Sequence, residues 1–176
     1  MNITLTRTAA TAAALVLGAA AATVGAGTAA AQPAVFALPA CYGMGTPPVE
    51  RPGQVGFQTC ADGSKELTNL VWDRWGPDGA TGRGLYSYQV CEPNCAAGYR
   101  EEFPAVVHAD EPLPAAPTSN CPAGTNFYAN LIVAFPEGVP SPTQSPTNSR
   151  FRGMPAALYS TVGTDDSGFY LGTITC

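Results

Sequence analysis

Short runs of alternating apolar residues, separated by proline and glycine, are the feature that most constrains the fold of this chain. The chain holds 17 Pro and 19 Gly among its 176 residues, and they fall mainly between the alternating runs. An alternation of period two indicates a β-strand, because successive side chains of a strand point to opposite faces. No stretch of useful length has helical periodicity. The pattern predicts an all-β fold, a small antiparallel sandwich or barrel.

The clearest of these runs is Phe127–Phe135. Both of its alternating sets of side chains are largely apolar, so we expect this strand to be covered on both faces. Four further strands are predicted from weaker runs in the first two thirds of the chain. They are Gln54–Cys60, Leu67–Trp75, Leu85–Val90 and Ala105–His108.

Two features of the last third of the chain are not simple strands. Residues 136–149 contain four prolines and few apolar side chains, so they cannot bury enough surface to offset the entropy of ordering, and we expect a mobile loop. Nearer the C-terminus, two period-two runs, 156–163 and 168–176, flank the turn-forming segment Thr164–Ser167. This arrangement predicts a C-terminal hairpin.

The N-terminus has the layout of a secretory signal peptide. Arg7 is its only charged residue, and 23 uncharged residues follow from Ala9 to Ala31. Small side chains at 29–31 suit a signal peptidase, so we predict a signal peptide over 1–31 and a single secreted β domain over 32–176. The alternative is a retained membrane anchor, which the weakly apolar Ala, Gly and Thr content disfavours. No later run is long enough to span a membrane.

All six cysteines follow the predicted cleavage site, and an even count in an exported chain indicates disulfides. The preferred pairing is Cys91–Cys95, Cys121–Cys176 and Cys41–Cys60, and the alternative joins Cys60 to Cys91 or Cys95. Lipidation of Cys41 is a further alternative, disfavoured because Pro39 lies nearby and the apolar run has already ended. A zinc site is disfavoured by the irregular cysteine spacing. We interpret Cys91–Cys95 as a brace, neither a redox centre nor a metal site.

The charge of the chain argues against several classes of partner. Cleavage after Ala31 would remove only Arg7 from the eight basic residues and none of the 13 acidic ones, which leaves a net charge of −6. Such a domain gains little from phosphate contacts, so nucleic acid is not an expected partner. No cofactor or metal is expected. Calcium at Asp165–Asp166 is the alternative to a solvated acidic turn.

The first catalytic candidate is the single histidine, His108. Asp110 lies two residues further on, so on a strand the two side chains share a face. A Ser-His-Asp triad also needs a nucleophilic serine, and the chain has no G-x-S-x-G elbow. We expect His108 to be a structural residue and the protein not to be an enzyme. The catalytic candidates are His108 and Asp110, and a pair of carboxylates from distant positions is the alternative.

The two tryptophans, Trp72 and Trp75, are the candidates for recognition of a ligand. On a regular strand they would face opposite sides, and the outward ring would be able to stack on a sugar or on the apolar surface of a partner. The preferred interpretation is that a bulge or turn brings both rings inside. Two buried rings would then anchor a small domain.

The tryptophans also begin a longer pattern, W-x-x-W-G-x-x-x-A-x-G-x-G followed by C-x-P-x-C-A-x-G. It is carried by Trp72, Trp75, Gly76, Ala80, Gly82, Gly84, Cys91, Pro93, Cys95, Ala96 and Gly98. The pattern resembles a group of uncharacterised small exported proteins of actinobacteria, over the segment from Cys60 to Gly98. The resemblance implies export and a small β-rich domain. It implies no activity, substrate or catalytic residue.

These observations predict an exported, disulfide-braced β protein with a non-catalytic role in binding or at the cell envelope, whose partner is a protein or a carbohydrate. Two other functions remain open. One is a small secreted hydrolase that uses His108 with a carboxylate. The other is a secreted inhibitor that presents a disulfide-braced loop, since such loops bind with little loss of entropy.

Overall fold

The period-two runs form strands in the computed structural model of the chain, which describes residues 33–39, 48–56, 64–141, 147–160, 169–170 and 176. The predicted all-β fold is confirmed, and the regular elements in those ranges are strands. In chain order they are β1 (Val35–Ala37), β2 (Val55–Gly56), β3 (Lys65–Arg74), β4 (Ala80–Val90), β5 (Tyr99–Pro114), β6 (Thr125–Ala134), β7 (Ser149–Phe151), β8 (Met154–Ser160) and β9 (Phe169–Tyr170). The predicted signal peptide lies outside the described residues.

The strands form one mainly antiparallel sheet. Its order is β2-β3-β4-β5-β6-β8-β7, with β1 beside β6 and β9 beside β8. The central hairpin of β4 and β5 pairs continuously from Ala80↔Ala109 to Val90↔Tyr99. This hairpin is the central element of the sheet, because its eleven cross-strand residue pairs connect the two halves of the sheet.

The sheet is strongly curled rather than flat. Trp75 follows β3 and Tyr128 lies on β6, and the sheet order places β4 and β5 between those strands. The two rings are nevertheless in edge-to-face contact, with centroids 5.3 Å apart. The curl allows a single open sheet to enclose an apolar interior, as a sandwich or barrel would.

The enclosed face, which we call the inner face, carries the core. Its fully buried members come from successive strands and include Leu67, Tyr86, Val107, Leu131, Val133 and Ala157. Tyr86 packs edge-to-face on Phe135, with ring centroids 5.6 Å apart. The opposite face, which we call the outer face, is only partly covered and carries Arg83, Leu85, Val106 and His108.

Strand β6 is covered on both faces, as its doubly apolar sequence predicts. Members of both alternating sets are fully buried: Phe127, Leu131 and Val133 of one set, and Tyr128 and Ala134 of the other. This strand lies between β5 on one side and both β1 and β8 on the other.

The C-terminal hairpin is corrected by the structure. Strands β8 and β9 pair in parallel, through Tyr159↔Phe169, and so are not the two arms of an antiparallel hairpin. The partner of β8 in a hairpin is instead β7, joined to it by Arg152 and Gly153, both with positive φ (50° and 82°). Two such residues form the tight turn whose twist suits antiparallel strands. The predicted turn at 164–167 lies outside the described residues.

The proline-rich segment is described only at its ends. Residues 136–141 form no strand, residues 142–146 are not described, and β7 already begins at Ser149. The mobility of this segment therefore stays a prediction. No helix in the described part of the chain is long and apolar enough to cross a membrane.

Candidate functional site

The two tryptophans form one aromatic cluster with residues from other strands. The register between β3 and β4 shifts between Trp72 and Arg74, and this irregularity brings the rings of Trp72 and Trp75 together. Their centroids are 4.6 Å apart in an edge-to-face arrangement. A Cβ added to Gly82 would lie 3.0 Å from the ring of Trp72, so the absence of a side chain at this position makes room for the ring.

Both indole N–H groups are already used within the fold. Trp72 donates to the carbonyl oxygen of Pro52 at 2.8 Å, and Trp75 donates to that of Phe36 at 3.0 Å. Each ring is half-buried against the core. A bound sugar would therefore have only part of each ring face to stack on. The two hydrogen bonds instead fasten two separate segments of the chain to the end of β3 and the residue that follows it.

Tyr128 completes this cluster, and sequence reasoning did not connect it with the tryptophans. Its hydroxyl donates to the carbonyl oxygen of Gly76 at 2.9 Å and accepts from the backbone N–H of Gly76 at 3.1 Å. Burial raises the pKa of Tyr128 above its ordinary value. A signal was present in the sequence, since an aromatic residue with a polar tip in a doubly covered strand needs a buried partner.

The catalytic candidates His108 and Asp110 are neighbours on the outer face, as their spacing predicts. His108 Nε2 lies 3.4 Å from a carboxylate oxygen of Asp110. Asn130, on β6, donates its side-chain N–H to the other carboxylate oxygen at 3.0 Å. Phe151 stacks on the imidazole with ring centroids 5.2 Å apart, so β7 covers the outer face at this point.

The second ring nitrogen of His108 decides what this group can do. Nδ1 is buried and has no hydrogen-bond partner among the described residues. In a catalytic triad one imidazole nitrogen bonds the carboxylate and the other bonds the nucleophile. Here one nitrogen faces Asp110, and no hydroxyl of the described residues reaches the other. The arrangement orients an imidazole beneath Phe151 and supplies no nucleophile from those residues.

Two of the three preferred disulfide pairings are present. Cys91 bonds Cys95 with Cα atoms 3.9 Å apart, and Cys121 bonds Cys176 with Cα atoms 5.0 Å apart. The third predicted pair, Cys41 with Cys60, lies outside the described residues. The first bond closes the turn between β4 and β5, and the second ties the C-terminal residue to the segment before β6.

The turn closed by Cys91–Cys95, which we call the tip loop (residues 91–98), projects from the sheet. Its first seven residues are all exposed. The Glu92–Pro93 peptide bond is cis. Asn94 accepts the backbone N–H of Ala97 through both its carbonyl oxygen and its side-chain oxygen, at 3.3 and 3.0 Å. The loop is thus held by a covalent bond and by its own hydrogen bonds.

The base of the tip loop is also fixed. A Cβ added to Gly98 would lie 1.9 Å from the carbonyl oxygen of Val90, so the two arms meet more closely than any side chain would allow. Arg100, two residues beyond, donates to Ser87 at 2.9 Å and lies 2.5 Å from the carboxylate of Glu66. These contacts fasten the hairpin to β3.

Metal binding has no support in the described residues, which contain no cluster of three or more His, Cys, Asp or Glu side chains that would hold an ion. The alternative calcium position, Asp165–Asp166, lies outside them.

Comparison with known proteins does not assign a role either. The sequence matches no protein family, and no curated protein or solved structure is significantly similar to it.

Proposed function

We propose that this chain is an exported, non-catalytic binding protein that contacts a protein partner through the tip loop. Export is supported by the signal-like N-terminus and by the two disulfides, because disulfides persist in oxidising compartments outside the cytosol. The resemblance to small exported actinobacterial proteins supports the same assignment. Secretion is tested by the intact mass of the protein from culture medium, which we expect to begin at Gln32.

The observation that carries the proposal is the exposure of a constrained loop. Seven successive exposed residues are closed by Cys91–Cys95 and anchored at Gly98. A loop that is already ordered loses little conformational entropy on binding, so more of its contact energy appears as affinity. The same properties would serve an inhibitor that inserts the loop into the cleft of an enzyme, which is the specific form of binding that we favour.

The chemistry of the tip loop suits a protein partner. Tyr99 stands beside it with 55% of its surface exposed, and tyrosine is enriched at the centres of protein interfaces. Glu92 is the only charged residue within the loop. The loop therefore offers an aromatic anchor, a rigid turn and one negative charge, for which a partner needs a concave surface with a positive rim.

The test uses the mature protein with a photo-reactive residue in place of Asn94, in the tip loop. In a control protein the photo-reactive residue replaces Arg150, the exposed residue of β7. Culture medium and envelope fractions are irradiated, and cross-linked species are identified by mass spectrometry. We expect a species that appears from position 94 and not from position 150. Excess unlabelled protein should suppress it, and excess C91S/C95S protein should suppress it less.

Equal labelling from both positions, or equal suppression by C91S/C95S, would remove the tip loop as the contact. The double variant C121S/C176S is the matched control, because it also loses one disulfide but leaves the loop closed. A panel of secreted proteases and glycosidases, assayed with and without the protein, tests the inhibitor form directly.

The second candidate is a hydrolase built on His108 and Asp110, favoured by their 3.4 Å contact. It requires that a hydrolytic activity be found which His108→Ala abolishes. It also requires a nucleophile from outside the described residues. Such an activity would overturn the non-catalytic assignment.

A further inference from the structure

A groove of about 370 Å³ on the outer face lies apart from the tip loop and from His108. Its walls are apolar and come from three strands and one connection: Val71, Leu85, Pro104, Val106 and Pro136. Val71 has 55% of its surface exposed, although valine normally lies in the core of a sheet protein. The volume falls within the range of small-molecule sites.

The groove arises from a β-bulge. The pairing of β3 with β4 shifts between Thr68↔Leu85 and Val71↔Arg83, so Asn69 and Leu70 together lie opposite Gly84. Leu70 turns into the core, whereas Asn69 adopts a positive φ of 53° and remains exposed. A Cβ added to Gly84 would lie 2.6 Å from the carbonyl oxygen of Thr68, so the bulge needs glycine there. Bulges of this kind re-aim side chains, often beside functional sites.

The polar groups of the groove are Arg83 and Asn69. Arg83 Nη1 lies 3.4 Å from the carboxylate of Asp73, and both side chains are more than half exposed. Such a pair is weak. The Nε and Nη2 groups of Arg83, and the side-chain amide of Asn69, make no hydrogen bond to other described residues. These donors match a carboxylate or a sulfonate, since guanidinium binds such groups through two N–H donors at once.

We propose that this groove binds a small amphipathic anion. Its apolar body packs on Val71, Leu85 and Val106, and its acidic group accepts hydrogen bonds from Arg83 and Asn69. Pro104 and Pro136 are rigid walls, so the groove needs little ordering when it is filled. The proposal does not depend on the tip loop. A small-molecule site on the outer face and a protein contact at the tip can coexist.

The test is fluorescence titration of the mature protein with 8-anilino-1-naphthalenesulfonate, an apolar anion. Decanoate and decyltrimethylammonium then compete with the probe below their micelle concentrations, because they share a chain and differ in charge. We expect saturable binding at one site that decanoate displaces and decyltrimethylammonium does not. Equal displacement by both would show apolar adhesion alone and would overturn the proposal.

Substitutions inside and outside the groove test whether the probe binds there. Arg83→Gln should weaken probe binding about tenfold, as expected for loss of hydrogen bonds to a charged group, and Arg83→Lys should retain part of the affinity. Arg74→Gln, an exposed arginine that does not line the groove, is the control. Val71→Ser should also weaken binding, whereas Val139→Ser, at a similarly exposed valine elsewhere, should not.

Thermal midpoint and near-ultraviolet circular dichroism establish that each variant is folded, which is expected because the substituted side chains are exposed. Unchanged probe affinity in both Arg83→Gln and Val71→Ser would overturn the proposal. So would concentration-dependent dimerisation that Val71→Ser abolishes, because a second copy of the chain would then occupy the groove.

Discussion

Tyr88 donates its phenolic hydrogen to the carboxylate of Glu101 across the β4–β5 hairpin, although only 4% of Tyr88 is exposed. Tyr88 also stacks on Phe103, with ring centroids 6.1 Å apart and planes nearly parallel. Tyr99 donates to the same carboxylate group at 3.4 Å. One glutamate thus accepts from a buried and an exposed tyrosine just below the tip loop.

This relationship predicts alkaline sensitivity. Burial, followed by the hydrogen bond to Glu101, raises the pKa of Tyr88 above its ordinary value. The folded protein then retains a proton that the unfolded chain releases near pH 10, so stability is full below that pH and falls as pH rises above it. Urea unfolding at a series of pH values from 8 to 11.5 should show a falling free energy of unfolding above about pH 10.

Tyr88→Phe is the control for this prediction, because it keeps the stacked ring and removes the ionisable hydroxyl. The variant should lose stability at neutral pH, where Glu101 loses its buried donor, and should show a smaller decline above pH 10. Tyr128, whose pKa is raised by burial, and Tyr99, whose pKa is raised by the charge of Glu101, account for the decline that remains. A decline of the same size in the variant would exclude Tyr88 as its source.

The closure of the tip loop predicts a strict requirement for glycine at position 98. Gly98→Ala would place a methyl group 1.9 Å from the carbonyl oxygen of Val90. Because that oxygen belongs to the backbone, the backbone itself would have to shift. We expect a loss of about 1–3 kcal/mol in the free energy of unfolding, the range for overpacked positions. Gly53→Ala is the matched control, since a Cβ there meets nothing within 4 Å. Equal stability of the two variants would contradict the described closure.

The sequence predicted the doubly covered β6 and both described disulfides, because each rests on a local or pairwise chemical signal. It underestimated β5, which runs from Tyr99 to Pro114 rather than from Ala105 to His108. The length of that strand was missed because it contains Pro104, Pro112 and Pro114, and proline is normally found at the ends or edges of strands. The parallel pairing of β9 and the groove at Asn69 depend on long-range register, which no local pattern records.

The two described disulfides should differ in their contribution to stability. Cys121 and Cys176 are 55 residues apart, and Cys91 and Cys95 are four apart. Chain-entropy estimates give about 4 kcal/mol for a loop of the first size and about 2 kcal/mol for the second. C121S/C176S should therefore lower the free energy of unfolding more than C91S/C95S, as measured by urea denaturation of each double variant.

The native protein should also have no free thiol at 91 or 95 and no turnover in an insulin-reduction assay, because Cys91–Cys95 acts as a brace. Thiol-disulfide enzymes lower the pKa of the attacking thiol beside a cation or a helix start, and Glu92 has the opposite charge. Turnover in this assay would remove the brace interpretation even if the stability order were as expected.

His108→Phe tests whether the imidazole is structural or chemical. Phenylalanine would keep the stack on Phe151, and it would remove Nδ1, which is buried without a partner among the described residues. Asp110 would keep its bond from Asn130. Because an unsatisfied buried polar atom costs about 1–3 kcal/mol, the loss of this atom should offset the loss of the Asp110 contact. We expect the free energy of unfolding to change by less than about 1 kcal/mol.

His108→Ala, which opens space beneath Phe151, is expected to be less stable than His108→Phe. If His108→Phe instead abolished a hydrolytic activity of the wild-type protein while its stability was retained, the imidazole would be catalytic and the binding role proposed above would be wrong.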